Sequence, residues 1–203
     1  MATKKTTKKT VTKKTVKKTV KGKVTKKVTK KTVVKTVSKS IKKSVKKVTS
    51  VTLKVGANAP QFTMPSTEGG TISLKELLGS RVVLYFYPKD MTPGCTVEAH
   101  EFSVIAKQFR KQGTMVFGVS PDSIESHHKF IKKDKITFPL LSDEGHKVAE
   151  AYGIWVKKSM YGREYMGIER ATFVIGKDGR LEQVYRKVSP EGHAVCVLTD
   201  MGK

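Results

Sequence analysis

Cysteine is nearly absent from this chain. Two in 203 residues, Cys95 and Cys196, stand 101 positions apart, too few and too distant for the disulfide framework of a small secreted scaffold. They fit a reducing compartment, where a thiol is either inert packing or chemistry. Long apolar runs are missing too. No stretch approaches the roughly 18 residues of a membrane span, and the N-terminus has no apolar segment that could serve as a secretory signal. Acid is missing from one end: residues 1–50 hold 20 Lys and no Asp, Glu or Arg. The absence of Arg there argues against a mitochondrial transit peptide. The other residues share 21 basic against all 17 acidic side chains, so +20 of the formal charge of +24 belongs to the first fifty. The remainder, residues 51–203, is mildly basic and long enough for a proper core.

The first fifty residues are low-complexity Lys/Thr/Val. Val16, Val20, Val24 and Val28 recur every four positions, and Val37, Ile41, Val45 and Val48 continue at four, four and three. That would lay a thin apolar stripe along a helix. Val and Thr are poor helix formers, and about 20 like charges repel one another, so the free segment is expected to be disordered. Three readings stay open. It is a solubilising tail, a polyanion-binding arm with DNA as the leading partner, or a membrane-surface segment. A lysine-dense arm binds phosphate without sequence preference and weakens steeply with salt. An interfacial helix normally carries Trp, Phe or Leu, and residues 1–52 have none. A flexible tether of this length reaches roughly 35–42 Å.

Residues 51–203 alternate strand and helix signals. "RVVLYFYP" (81–88) is a continuous apolar run suited to a strand buried on both faces. A helix is predicted from Gly94–Cys95, with Ala99, Phe102, Ile105 and Phe109 at helical spacing and Gly113 as its stop. "TMVFGVS" is the next strand, which completes a parallel crossover. A second helix comes after "SPDS", with Ile124, His127, Phe130 and Ile131 on one face. A short strand lies in "ITFPLLSD", and a third helix spans "EGHKVAEAYG". "RATFVI", "GKDG" and "RLEQVYR" read as a hairpin. A last helix is predicted with Ser189 as N-cap and Pro190 at its first position. Upstream, 59–80 supplies a hairpin and a short helix. The order βαβ, α, ββα implies an α/β fold: a mixed sheet with helices on both faces, the thioredoxin-like arrangement.

Cys95 falls where a buried strand gives way to a helix. Unpaired backbone N–H groups and the helix dipole favour negative charge there, so a thiolate is stabilised. Buried structural packing is the common fate of a free cysteine. Against it, Pro93 and Gly94 suggest a tight turn open to another molecule, and Thr92 can offer a hydroxyl to whatever meets the sulfur. Pro88, Thr92 and Cys95 match the PxxxTxxC motif of peroxiredoxins. The string "YPKDMTPGCTVEAHEF" resembles the bacterioferritin-comigratory-protein, or peroxiredoxin Q, branch. So do "APQFTMPSTEGG", "FPLLSD", "YGIW", "YGREYMGIERATFVIGKDG" and "GHAVCVL". The resemblance covers essentially residues 51–200. The Lys-rich segment resembles linker-histone-like tails in composition.

The resemblance implies a thiol-dependent peroxidase acting on hydrogen peroxide and organic hydroperoxides. Cys95 would be the peroxidatic cysteine, Thr92 would hydrogen-bond the peroxide, Pro88 would shield the sulfur from water, and Arg170 would pair with thiolate and peroxide. Without the resemblance, Arg170 reads as a strand-end salt-bridge residue. The reductant would be thioredoxin, glutaredoxin or a small thiol, and the protein a monomer or dimer.

Many members of this branch carry a resolving cysteine five residues after the first; here His100 stands there, reading as a helix-surface residue. Cys196 is either a packed helix cysteine or a resolving cysteine, within one chain or from a partner subunit. No CxxC, second zinc-protease His or Gly-rich phosphate loop occurs, so no disulfide reductase activity, metal or cofactor is expected. Trp155 reads as core rather than substrate contact. The expected location is cytoplasmic, on the nucleoid in a bacterium, or nuclear in a eukaryote. The rival reading is a chromatin or nucleoid architectural protein whose peroxidase domain is secondary or idle.

Overall fold

Five strands form one central sheet, and the apolar run at 81–88 lies in its middle. The computed structural model describes residues 52–160 and 162–202; the readings of the Lys-rich segment fall outside them. In chain order the elements begin with β1 (Thr63–Pro65), β2 (Thr71–Ser73), α1 (Leu74–Leu77), β3 (Arg81–Phe86) and α2 (Pro93–Lys111). Next come β4 (Thr114–Ser120), α3 (Ile124–Asp134), β5 (Leu140–Ser142) and α4 (Lys147–Ala151). The chain ends with β6 (Trp155–Met160), β7 (Arg163–Ile168), β8 (Ala171–Ile175), β9 (Leu181–Arg186) and α5 (His193–Met201). The sheet runs β5-β4-β3-β8-β9, with β3 parallel to β4 and antiparallel to β8.

The period of two along β3 divides the core. Val82, Leu84 and Phe86 join one apolar cluster with Met64, Leu74, Ala149, Tyr152 and Phe173. Val83 and Tyr85, with the following Tyr87, join the other with Phe102 and Phe109 of α2, Phe130 of α3 and Val197 of α5. Successive side chains on a strand point to opposite faces, so a strand covered on both sides must be apolar throughout. Gly118 in β4 lets the layers close, since a Cβ there would stand 2.7 Å from both the Tyr85 hydroxyl and a Leu140 methyl.

Two expectations need correction, and one element is unforeseen. The third helix is shorter than 144–153, because His146 takes φ 56° and the helix starts only after it. Asp143 caps it, accepting from the amides of Val148 (3.2 Å) and Ala149 (2.8 Å). The last helix does not begin at Ser189–Pro190. Its N-cap is Gly192 at φ 74°, whose amide donates to Glu101 on α2 at 2.8 Å, and the Ser189 hydroxyl binds Glu191 instead. The β6–β7 ribbon is not anticipated by the sequence at all. Its residues are mostly exposed or half-buried, so it lacks the apolar alternation that marks a strand with one face on a core.

Candidate active site

The site forms at the carboxyl end of β3. Pro88 and Thr92 are half-buried on the loop after it, and Cys95 lies in the first turn of α2. Pro93 occupies the first helical position and Thr92 the N-cap, so Pro93–Gly94 open the helix rather than make a separate turn. A proline suits that place because its missing N–H would have no helical partner. The Thr92 side chain does not cap the helix; its hydroxyl donates to the Lys89 carbonyl at 3.1 Å.

Cys95 is 2% exposed and lies among Tyr85, Tyr87, Ala99 and Ala194. Arg170 stands in the link between β7 and β8, beside the carboxyl end of β3, and reaches the sulfur: Nη2 is 3.3 Å from Sγ. Its Nη1 is paired with Glu98, one helical turn after Cys95 on the same helix. Arg170 thus makes a salt bridge and also reaches the thiol. A Cβ at Gly94 would just touch Arg170 Nη2 and Pro190 Cγ, each at 3.4 Å.

Glu98 was invisible to the motif. Its side chain has no exposure, and Oε1 has no hydrogen-bond partner among the described residues. Burial pushes its carboxyl up to about 7, against the pull of Arg170. Burial also works against the Arg170 charge, but Glu98 and Cys95 outweigh it and raise the guanidinium above its ordinary value. Cys95 and Glu98 are three positions apart, which places two side chains on one helix face. That spacing is the signal that could have found Glu98.

The arrangement can hold a sulfur anion against a half-buried guanidinium whose other edge is held by Glu98. The AhpC/TSA family model matches residues 55–184. Peroxiredoxin Bcp of Bacillus subtilis is 46% identical over 156 residues, which cover 75% of this chain and 99% of that protein. The chain belongs to this family. Peroxiredoxin Bcp of Escherichia coli is 42% identical over 72% of this chain and 94% of its own length. A solved Xanthomonas campestris peroxiredoxin Q superposes with a TM-score of 0.69 at 38% identity, over 76% of this chain and 98% of that one. The bacterioferritin comigratory protein of the same organism, solved to explain its alkyl peroxide reduction, gives 0.68 at 37%, over 74% and 96%. The protein is thus a peroxiredoxin of the Bcp branch, a thiol-dependent peroxidase with the thioredoxin-like fold.

His100 is exposed on α2. Cys196 is exposed rather than packed: Ala194 and Val197 turn inward from α5, and Cys196 Sγ lies 3.6 Å from Asp200 Oδ2. Trp155 is half-buried, packed on the core and stacked on His146 with centroids 3.9 Å apart. His193 is 6% exposed, with Nε2 2.7 Å from the Thr172 hydroxyl.

Burial, with the Arg170 charge nearby, pushes His193 down to about 4. Below pH 6.5 the unfolded chain binds a proton that the folded ring refuses, so this residue costs stability as pH falls from about 6.5 to about 4, by up to about 3 kcal/mol. Glu98 works in the opposite sense. Its folded form keeps a proton that the unfolded form releases between about 4.5 and 7, so it costs stability as pH rises through that window. Comparison with His193→Gln isolates the histidine. The stability gap between wild type and variant, measured by urea unfolding, is expected to move in the variant's favour by about 3 kcal/mol between pH 6.5 and 4. A gap constant with pH would exclude the assignment.

Proposed function

We propose that this peroxiredoxin reduces hydrogen peroxide and organic hydroperoxides through Cys95, and that the Lys-rich segment tethers it to DNA. One observation carries the first part: a buried thiol lies 3.3 Å from a guanidinium that a buried carboxylate holds in place.

The Cys95 thiolate attacks one peroxide oxygen and the O–O bond breaks. Sulfur loses two electrons and becomes a sulfenic acid, and the departing oxygen leaves as hydroxide or alkoxide. That oxygen takes up the proton given up when the thiol ionised. Negative charge moves from sulfur to the departing oxygen, and Arg170 stabilises it there without reorganising, the type of preorganised stabilisation worth most in a water-poor site. With its proton committed to Lys89, the Thr92 hydroxyl offers lone pairs, so it accepts from a peroxide O–H rather than donating. Pro88 covers the approach and limits water. At 2% exposure the sulfur is reached by the narrow O–O end of a substrate.

A thiol then condenses with the sulfenic acid to a disulfide and releases water, and a second thiol regenerates Cys95. Thioredoxin, glutaredoxin and small thiols can all supply these. Because His100 replaces the local resolving cysteine, Cys196 is the one protein thiol in this chain that could serve, on its own chain or a partner's. Mass spectrometry after one equivalent of peroxide tests the route. We expect one oxygen on the Cys95 peptide when external thiol is absent. A Cys95–Cys196 peptide would make the mechanism two-cysteine, and oxygen on Cys196 with Cys95 untouched would overturn the assignment.

The tether reading is supported by the 20 Lys within the first 50 residues and places peroxide removal near DNA, in the cytoplasm on the nucleoid or in a nucleus. Deleting residues 1–50 is expected to leave peroxidase turnover within about twofold while abolishing salt-sensitive DNA retention, because Lys–phosphate contacts supply that retention. Equal retention by the truncated protein would remove the tether.

A further inference from the structure

Behind the β3–α2 loop lies a polar cluster that the peroxide chemistry does not use. Asp90 sits midway between Pro88 and Thr92 and is 3% exposed. Its amide donates to Asp122 Oδ2 at 2.8 Å. Its Oδ1 accepts from the Tyr87 hydroxyl at 2.7 Å, and its Oδ2 accepts from the Ser126 hydroxyl at 2.7 Å. His127 Nδ1 stands 2.9 Å from Oδ2 and 3.1 Å from Oδ1. The other ring nitrogen, Nε2, lies 3.2 Å from the Leu141 carbonyl. The His127 side chain has no exposure, so water supplies neither nitrogen.

Both ring nitrogens thus face acceptors. A neutral imidazole has one N–H and one lone pair, and a lone pair aimed at a buried carboxylate or carbonyl would be repulsive. The carboxylate does not escape by taking the proton itself: two hydroxyls already donate to it, which favours its charged form. A doubly protonated ring satisfies every partner. The loop it holds needs holding. Met91, one residue on, sits at φ 56° and 40% exposed, a left-handed conformation that a side chain such as methionine seldom adopts unaided. The Asp90 and His127 contacts tie this loop to β5 and to the start of α3, so the backbone carrying Pro88 and Thr92 has little freedom.

We propose that His127, as a buried imidazolium, is a positioning residue of this peroxidase: its ion pair with Asp90 locks the 88–92 loop and sets Thr92 beside Cys95. The inference rests on Cys95 being the reacting sulfur. Nitrogen-15 NMR of the full-length reduced protein near neutral pH tests the charge, with both His127 ring nitrogens expected to be protonated. An unprotonated nitrogen on that ring overturns the proposal, and this readout needs no variant to fold. The second arm compares His127→Gln and Asp90→Asn with wild type in two reactions of Cys95. Reduction of peroxide needs Thr92 in place, whereas alkylation by iodoacetamide needs only an accessible thiolate. Misplacement of a positioned group by about 1 Å costs about 10²-fold, so the peroxide rate constant is expected to fall by about 10–100-fold with alkylation unchanged or raised. A parallel fall in both rates, or an unchanged peroxide rate, overturns the proposal. Peroxide consumption surviving in Cys95→Ser would instead overturn the assignment of the reacting sulfur and leave the NMR result standing.

Discussion

Replacement of Cys95 by serine is expected to abolish thiol-dependent peroxide consumption, by more than about 10⁴-fold, the scale of loss when a covalent nucleophile is removed. One atom changes and almost nothing else does. The side chain keeps its place in the first turn of α2, and its neighbours Tyr85, Ala99 and Ala194 need not move. A serine hydroxyl is a much weaker nucleophile than a cysteine sulfur, and oxygen cannot form the sulfenic acid on which the proposed turnover depends. Arg170 loses one partner but keeps Glu98, so thermal unfolding should shift by no more than about 1 kcal/mol equivalent. Peroxide loss coupled to a thiol reductant, read beside a melting curve, checks both halves. Full activity in the variant would move the chemistry to Cys196 or elsewhere and would dissolve the proposed mechanism.

The fold is legible in the sequence where periodicity is strong. β3 and α2 face a core on well-defined sides, so the run of apolar residues in one and the spacing of Ala99, Phe102, Ile105 and Phe109 in the other announced them. β6 and β7 pair mainly with each other and stand largely outside the core, so their sequence carries no comparable constraint. The start of α5 is not legible, because two local signals, Ser189 and Pro190, lose to a tertiary contact between Gly192 and Glu101. At the site, Cys95 and Thr92 were legible as a motif and Arg170 by likeness to the family. Glu98 and the Asp90–His127 pair were not. Each depends on a contact between residues distant in sequence, 72 positions for Glu98 and Arg170 and 37 for Asp90 and His127. A polar residue on an apolar helix face is legible as unusual, but its partner is not.

That hidden carboxylate gives the Arg170→Met substitution two separable consequences. Activity is expected to fall by about 10²–10³ in kcat/KM, the cost of removing a preorganised donor from a developing anion, with further loss because the sulfur anion itself has lost its counter-charge. Stability falls for another reason: Glu98, with no exposure and Oε1 already unpartnered among the described residues, is left as a lone buried carboxyl. Stranding a buried charge costs about 3–5 kcal/mol unless the group takes a proton instead. Glu98 already titrates at about 7, and without Arg170 it moves higher, so the folded variant keeps a proton that the unfolded chain releases above about 4.5. The variant should therefore be nearly as stable as wild type in acid and should lose ground as pH rises through neutrality. Adding Glu98→Gln removes the titrating group. The double variant is expected to regain stability at alkaline pH and to recover none of the activity. Recovery of both would mean that Arg170 acts only by neutralising Glu98, and recovery of neither would mean that the guanidinium packs the site in ways its two bonds do not express. The separation of the two readouts is what distinguishes a catalytic guanidinium from a structural ion pair, and Arg170 is expected to be both, through opposite edges of one planar group.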